Sequence, residues 1–328
     1  MARCARNVEE IKKVKEMNTP KDVAEELLAL MRDKEEIRIA LVELGASVAE
    51  EDGLEDYPSK IRVLKPARLK IFKDQQFYQF RDEVLPDMEM DEGYAVANLS
   101  WVFGRCPNLV RVPDILGVER VVNLESFIQE SIKIKRLTLP DLPNLTSLRS
   151  FARSASSLES VEIGAIPQVT ELYFSFANCT SLASFSMGDS PKAKSLEATF
   201  YACSKLQRLK LSLGSGIIEK AHHLFDGCTM LEEVDGVIDL SVATDISSLI
   251  TGCPNLREIR LKGVGRELIA FESVSLSIES VRYLITEAGS ITTKQTIYLP
   301  QKLVDDHEEE MVTLGEIASS KGWSINYR

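Results

Sequence analysis

The sequence predicts an α/β fold: a solenoid of about seven coils of 24 or 25 residues, with a helical N-terminal segment and an α/β C-terminal cap. Two apolar positions recur with one period, and each second position is followed by alternating apolar residues. Fixed periods of about 20 to 50 residues are typical of solenoids, in which stacked repeats bury a shared core.

The two recurring positions keep their phase through seven cycles, with separations that are all 24 or 25 residues. Two independent apolar positions that stay in phase indicate one structural unit per period. The first position holds Phe103, Phe127, Phe151, Phe176, Phe200, Phe225 and Ile250. The second position holds Leu109, Ile134, Leu158, Leu182, Leu206, Leu231 and Leu256.

A short alternating segment follows the second position in most coils. Its apolar residues come three and five places later, as in Leu137 with Leu139 and Phe185 with Met187. Alternation with a period of two predicts a strand with one face turned inward. We therefore expect seven parallel strands, with one or two helical turns per coil on the opposite wall.

Five cysteines belong to the repeat and lie three residues after the first recurring position. In the second and third coils one residue is inserted, and Ser131 and Ala155 take the cysteine's place. A position that accepts Cys, Ser or Ala predicts a small buried filler rather than a metal or redox site. The five are Cys106, Cys179, Cys203, Cys228 and Cys253.

The stretches "FANCTSLASFSM" and "FYACSKLQRLKL" carry the pattern F-x-x-C-x-x-L-x-x-[IVL]-x-[IVL]. This pattern resembles the BspA-like branch of the leucine-rich-repeat family, over residues 99 to about 265. The coils "FIQESIKIKRLTL" and "FARSASSLESVEI" depart from it by the inserted residue and the lost cysteine. The resemblance implies a leucine-rich-repeat solenoid that serves as a scaffold for binding other proteins.

The outward positions of the predicted strands carry charges whose sign alternates along the sheet. Opposite charges on neighbouring strands stabilise a sheet surface, and the same residues could instead recognise a protein. No aromatic residue occupies these outward positions, which disfavours sugar stacking on this face and favours protein contact. The candidate protein-binding residues are Lys135, Arg136, Arg208, Lys210, Glu232, Glu233, Asp235, Arg257 and Arg260.

The chain divides into four predicted regions. They are a helical attachment or oligomerisation segment (1–66), a β-rich N-terminal cap (67–98), the solenoid (99–265) and an α/β C-terminal cap (266–328). Apolar residues spaced by three predict a helix that packs within the domain or against a neighbouring subunit, which leaves a homo-oligomer as one alternative. They are Val8, Ile11, Val14 and Met17.

Residues 37–64 resemble a short module near the start of phage and prophage structural proteins, including tail-associated proteins of Bacteroides-type phages. The resemblance implies a virion component on the tail or head surface. It also implies that the N-terminal segment docks to the particle and the solenoid faces a host receptor or neighbouring subunit. The residues that carry it are Ile39, Leu41, Gly45, Val48, Tyr57, Lys60 and Ile61.

Composition and motifs exclude several classes of function. A net charge of -11 argues against nucleic acid as the main partner. No apolar run suggests a signal peptide or a membrane span. Phosphate-cradling, nucleophile and zinc-protease motifs are missing, so we expect no enzyme, cofactor or metal site. The alternatives to a virion protein are a bacterial BspA-like surface adhesin and an intracellular interaction scaffold, located at the cell surface or in the cytoplasm.

Overall fold

The computed structural model describes residues 69–71, 75–85, 88–90, 97–265, 269–271, 274–292 and 295–327. Nearly all of them belong to one compact unit, Ile71–Leu85 with Glu89–Arg328. The predicted helical segment 1–66 lies outside the described residues. It contains the apolar stripe of Val8, Ile11, Val14 and Met17 and the phage-like stretch 37–64. Those predictions stay predictions.

A parallel sheet of six strands forms the repeat region, in the spatial order β11-β10-β9-β8-β7-β6. Its strands are β6 (Arg136–Leu139), β7 (Ser160–Ile163), β8 (Ser184–Ser190), β9 (Arg208–Leu213), β10 (Glu233–Asp239) and β11 (Glu258–Lys262). Short strands precede them: β1 (Leu69–Ile71), β2 (Met88–Met90), β3 (Ala97–Asn98), β4 (Ile115–Leu116) and β5 (Val121–Asn123).

The prediction of seven strands is wrong for the first coil, whose segment after Leu109 does not join the six-stranded sheet. Pro113 stands four residues after Leu109, where the second coil has Thr138 in β6. Proline has no N–H to donate to a ladder, so this segment has one backbone donor fewer than the later coils. The sheet begins one coil later than the repeat.

The inward residues of the strands lie in register and form one side of the core. Leu137 pairs with Val161, Val161 with Phe185, Phe185 with Leu209, and Leu209 with Val234. All five are buried. The period-two alternation therefore identified the buried face of these strands correctly.

The wall opposite the strands is built from turns, so the predicted helical turns are wrong for this wall. One 3-10 helix, Val118–Arg120, lies before it in the first coil. Each turn contains two residues with positive φ, four apart, such as Phe174 (54°) and Asn178 (61°). A left-handed residue interrupts a right-handed helix, which explains the absence of helix there. We call this surface the turn wall; it comprises residues 122–130, 146–154, 170–178, 194–202, 219–227 and 244–252.

The phenylalanines of the first recurring position form a continuous buried stack. Neighbouring rings lie nearly parallel for Phe127 with Phe151 and for Phe176 with Phe200, at 5.7 Å between centroids in both pairs. The rings are T-shaped at two steps, Phe103 to Phe127 and Phe151 to Phe176. Both arrangements are favourable for aromatic pairs. Phe77 extends the stack before Phe103, with centroids 5.9 Å apart.

The two T-shaped steps mark a shift in the backbone, which corrects the predicted insertion. The backbone N–H groups of Ile128 and Ala152 donate to carbonyls of the next coil, as the N–H groups of Phe103 and Phe176 do. Phe127 and Phe151 therefore stand one place earlier in the ladder, and no residue is inserted. A ring displaced by one place still fills the core when a small neighbour such as Ala152 follows it.

The cysteine position is buried, as predicted, and it has a hydrogen-bonding role. The Sγ atoms of Cys179, Cys203 and Cys228 each donate to a carbonyl of the preceding coil at 3.1 Å. Ser131 makes the equivalent bond to the Phe103 carbonyl through its hydroxyl. A small side chain with a weak donor therefore links consecutive coils.

The C-terminal region alternates helix, strand, helix and strand as predicted, and its second helical stretch is two helices in succession. The elements are β12 (Ile269–Ala270), α1 (Ile278–Glu287), β13 (Gln295–Leu299), α2 (Gln301–Asp306), α3 (Glu308–Ser320) and β14 (Trp323–Tyr327). Strands β12, β13 and β14 form a parallel sheet. No helix among the described residues combines the length and the apolar character needed to cross a membrane.

Helix α1 covers the last strand of the repeat sheet. The Ser280 hydroxyl accepts the N–H of Ile259 at 3.0 Å, and it donates to the Arg257 carbonyl at 3.1 Å. Ser277 caps the helix by accepting the N–H of Ser280. These bonds satisfy backbone groups that a further strand would otherwise pair, which is how the sheet ends without an open edge here.

Candidate protein-binding site on the strand face

All nine candidate residues lie on the outward surface of the six-stranded sheet, which we call the strand face. Eight of them are exposed, and Glu233 is partly buried. The structure places them in two groups. Lys135 and Arg136 lie at the β6 end of the face. Arg208, Lys210, Glu232, Glu233, Asp235, Arg257 and Arg260 lie together on or next to β9, β10 and β11.

Uncharged residues separate the two groups. Strand β8 presents Ser184 and Ser186 at its outward positions, and Ala183 precedes them. Beyond β8, the Lys135 ammonium pairs with the Glu159 carboxylate at 3.0 Å. An exposed pair of this kind contributes little to stability, about 0 to 1 kcal/mol. The β6 end is thus a separate, partly neutralised patch.

Cross-strand ion pairs connect the larger group, as the alternation of charge suggested. Arg208 lies 3.6 Å from the Glu233 carboxylate and 4.0 Å from that of Glu232. Arg260 lies 3.3 Å from the Asp235 carboxylate. Lys210 is opposite Asp235 in the ladder and makes no ion pair with another described residue. These pairs hold the side chains of three strands in one layer.

A cleft of about 310 Å³ opens where the strand face meets helix α1. Four carboxylates line it, and Arg260 is the single basic residue in the lining. Tyr283 of α1 adds an aromatic ring that is partly exposed. The four acidic residues are Glu233, Asp235, Glu258 and Glu279. The cleft therefore has an acidic character within a surface of otherwise mixed charge.

Six lining residues were not among the predicted site residues, and three of these are acidic or aromatic: Glu258, Glu279 and Tyr283. Glu258 is outward in β11 and follows the strand alternation. Glu279 and Tyr283 lie four residues apart in α1, so they share one side of the helix. Their i, i+4 spacing could have shown from the sequence that they share a helix side. The packing of α1 on β11, however, is a tertiary contact that local pattern does not specify.

The sequence carries a family signature over the same region that contains the sheet. The family model for the BspA type leucine rich repeat region matches six copies, over residues 100–232 and 150–266. Together these ranges span just over half of the chain. The chain belongs to this family. No curated protein and no solved structure is significantly similar to it.

Membership in the BspA-type leucine-rich-repeat family points to protein interaction or adhesion as the role of the repeat region. Repeats of this family are generally binding modules rather than enzymes. The family match covers the strand face up to β11 and stops before α1. The acidic cleft therefore combines strands inside the matched region with a helix that lies outside it.

Proposed function

We propose that this protein is a non-enzymatic binding protein that recognises a protein partner through β9, β10 and β11. The observation that supports the proposal is the acidic cleft beside Tyr283. A cationic side chain of the partner enters this cleft, and the ion-paired surface around Arg208 makes the surrounding contacts. Tyrosine and arginine are among the residue types most enriched at the energetic centres of protein interfaces.

The charges of the cleft select the partner's chemistry. Two of its carboxylates already have neighbouring cations: Glu233 has Arg208, and Asp235 has Arg260. The Glu258 carboxylate lies 3.2 Å from the Ser280 hydroxyl, whose single proton is donated to the Arg257 carbonyl. It makes no ion pair with another described residue, so its charge is uncompensated. A lysine or arginine of the partner would place a positive charge beside Glu258 and Glu279 and its aliphatic stem along Tyr283.

Peptide selection tests this surface directly. We expect random peptides displayed on phage and selected on the full chain to be enriched in lysine and arginine. The double reversal Glu258→Lys/Glu279→Lys should weaken binding of the enriched peptides at least about tenfold, which corresponds to about 1.4 kcal/mol. Binding should also weaken as salt concentration rises, because exposed charges are screened. Fluorescence anisotropy measures both effects.

The matched control is Glu309→Lys/Glu316→Lys, which reverses two exposed carboxylates on α3 and changes the net charge by the same amount. It should leave binding unchanged. Enrichment of peptides without basic residues, or equal weakening by the two double variants, would contradict the proposed surface.

For the biological setting, we propose a phage virion component that attaches through residues 1–66. The support is the resemblance of residues 37–64 to phage structural proteins, together with the apolar stripe of Val8, Ile11, Val14 and Met17. A binding repeat with a separate attachment segment suits a particle surface, where the segment docks and the strand face points towards a host receptor or neighbouring subunit.

Peptide mass spectrometry of three fractions of the producing culture tests this setting: cytosol, washed envelope and gradient-purified particles. We expect enrichment in the particles and loss of that enrichment when residues 1–66 are deleted. Recovery in the envelope alone would favour a surface adhesin, and recovery in the cytosol alone would favour an intracellular scaffold. Either result would reject the virion proposal and leave the strand-face proposal standing.

A further inference from the structure

A second cleft, of about 380 Å³, lies on the turn wall and is separate from the strand face. Its floor follows a row of single backbone bridges that runs from coil to coil. Ser195 stands in this row between Glu171 and Lys220, which bridge to it from either side. Because the serine is small and largely buried, the row is recessed there, and the longer side chains around it form the rim.

One aromatic ring belongs to the lining of this cleft. The Arg149 guanidinium lies 4.9 Å from the centroid of the Tyr173 ring, and Phe174 packs against that ring at 4.5 Å. Both contacts restrict the orientation of the tyrosine. Tyr173 remains partly exposed and contributes to the cleft lining. The turn wall thus offers the aromatic surface that the outward strand positions lack.

The positive and negative charges of the residues that line this cleft sum to zero. Three are basic and three are acidic: Arg149, Lys194, Lys220, Glu171, Glu197 and Glu219. Two acidic groups are already engaged, since Lys194 pairs with Glu219 at 3.0 Å and His222 contacts Glu197 at 2.9 Å. Glu171 and Lys220 make no ion pair with another described residue. One strong acceptor and one strong donor therefore face the recess on opposite sides of Ser195.

We propose that this cleft binds a neutral saccharide. A balanced set of charges attracts neither a polyanion nor an apolar molecule, whereas hydroxyl groups can both donate to Glu171 and accept from Lys220. The part of the Tyr173 ring that Arg149 and Phe174 leave exposed supplies an apolar surface for the C–H groups of a sugar ring. The cleft volume lies at the lower end of the range of small-molecule sites, about 300 to 1,000 Å³, which suits one or two sugar units.

This inference does not rest on the strand face, because it uses a different wall of the coils and a different ligand chemistry. The two surfaces share only the buried core between them. The cleft is too small to serve as a second protein interface, which would require a larger contact area. A small ligand such as a saccharide suits it better.

Saturation-transfer difference NMR on the full chain tests the proposal. The probes are lactose, cellobiose, mannobiose and N,N′-diacetylchitobiose, with one sugar in each sample. We expect transfer to at least one of them, and an affinity about tenfold weaker in Tyr173→Ala, which removes the ring surface. Glu171→Gln, which keeps the shape and loses the charge, should weaken binding in the same direction.

The matched control is Tyr201→Ala, because Tyr201 is an exposed tyrosine of the same wall that does not line the cleft. It should bind the sugar as the unaltered chain does. Thermal unfolding of each variant shows that the fold is retained. Absence of transfer from all four probes would overturn the proposal. So would equal binding by Tyr173→Ala and the unaltered chain, or equal loss of binding in Tyr201→Ala and Tyr173→Ala.

Discussion

Replacing Phe200 by alanine is expected to lower the free energy of unfolding by about 3 to 5 kcal/mol. The Phe200 side chain is 1% exposed. Its ring stacks between Phe176 and Phe225, with centroids 5.7 and 5.8 Å away, and Phe185 approaches edge-on at 4.8 Å. Truncation opens a cavity in the middle of the stack, where coils on both sides restrict relaxation.

Urea unfolding followed by circular dichroism measures the effect. Phe200→Leu retains most of the volume and should cost clearly less than Phe200→Ala. The adjacent Tyr201→Ala is the positional control, because Tyr201 is 37% exposed and should change stability by no more than about 1 kcal/mol. Similar losses from Phe200→Ala and Tyr201→Ala would show that the aromatic stack does not stabilise the coils.

Raising the pH from about 9 towards 12 is expected to destabilise the protein through its buried thiols. Burial raises the pKa of Cys179 and of Cys253 from 9.0 to about 12, and that of Cys106 to about 11. Burial also raises the pKa of Cys203 and of Cys228 well above 9.0. The thiols favour the folded state while they are protonated, and this contribution is fully present below the pKa of the unfolded chain.

Above pH 9 the unfolded chain loses protons that the folded chain still binds, so the free energy of unfolding falls. Each thiol that ionises only on unfolding adds a slope of about 1.4 kcal/mol per pH unit. Urea unfolding at a series of alkaline pH values measures the slope. A Cys179→Ala/Cys253→Ala variant should show a shallower slope.

Thiol labelling provides a second readout of the same burial. In a Cys4→Ser background, which removes the cysteine outside the described residues, a disulfide reagent should label the native chain very slowly at pH 8 and the urea-unfolded chain quickly. Rapid native labelling, or a pH slope that is unchanged in the double variant, would contradict the buried thiol ladder.

The period and the composition of the recurring positions were sufficient to predict the repeat. Phe176, Cys179 and Leu182 are buried, and Phe185 and Met187 point inward from β8, as the alternation indicated. Each coil packs against its neighbours in the same way, so the same residue types recur at the same spacing. Local pattern therefore identified the inner side chains and the outward charges without knowledge of the tertiary structure.

Local pattern was insufficient where residues distant in the sequence decide the outcome. The shift of Phe127 and Phe151 by one ladder position depends on which neighbours fill the core, and the first coil, which contains Pro113, does not join the sheet. The turns replace the expected helices because bonds between coils, such as Asn178 N–H to the Tyr201 carbonyl, hold left-handed residues in place.

The amino-acid pattern alone predicts a stack of coils with a buried Phe and Cys position and a charged outward strand face. Those properties repeat within each coil and follow from side-chain burial. The positions of the two clefts depend instead on tertiary contacts. One requires α1 to bring Glu279 and Tyr283 onto β11, and the other requires Ser195 to lie between the longer side chains of neighbouring coils. Both clefts depend on contacts between segments that local periodicity does not encode.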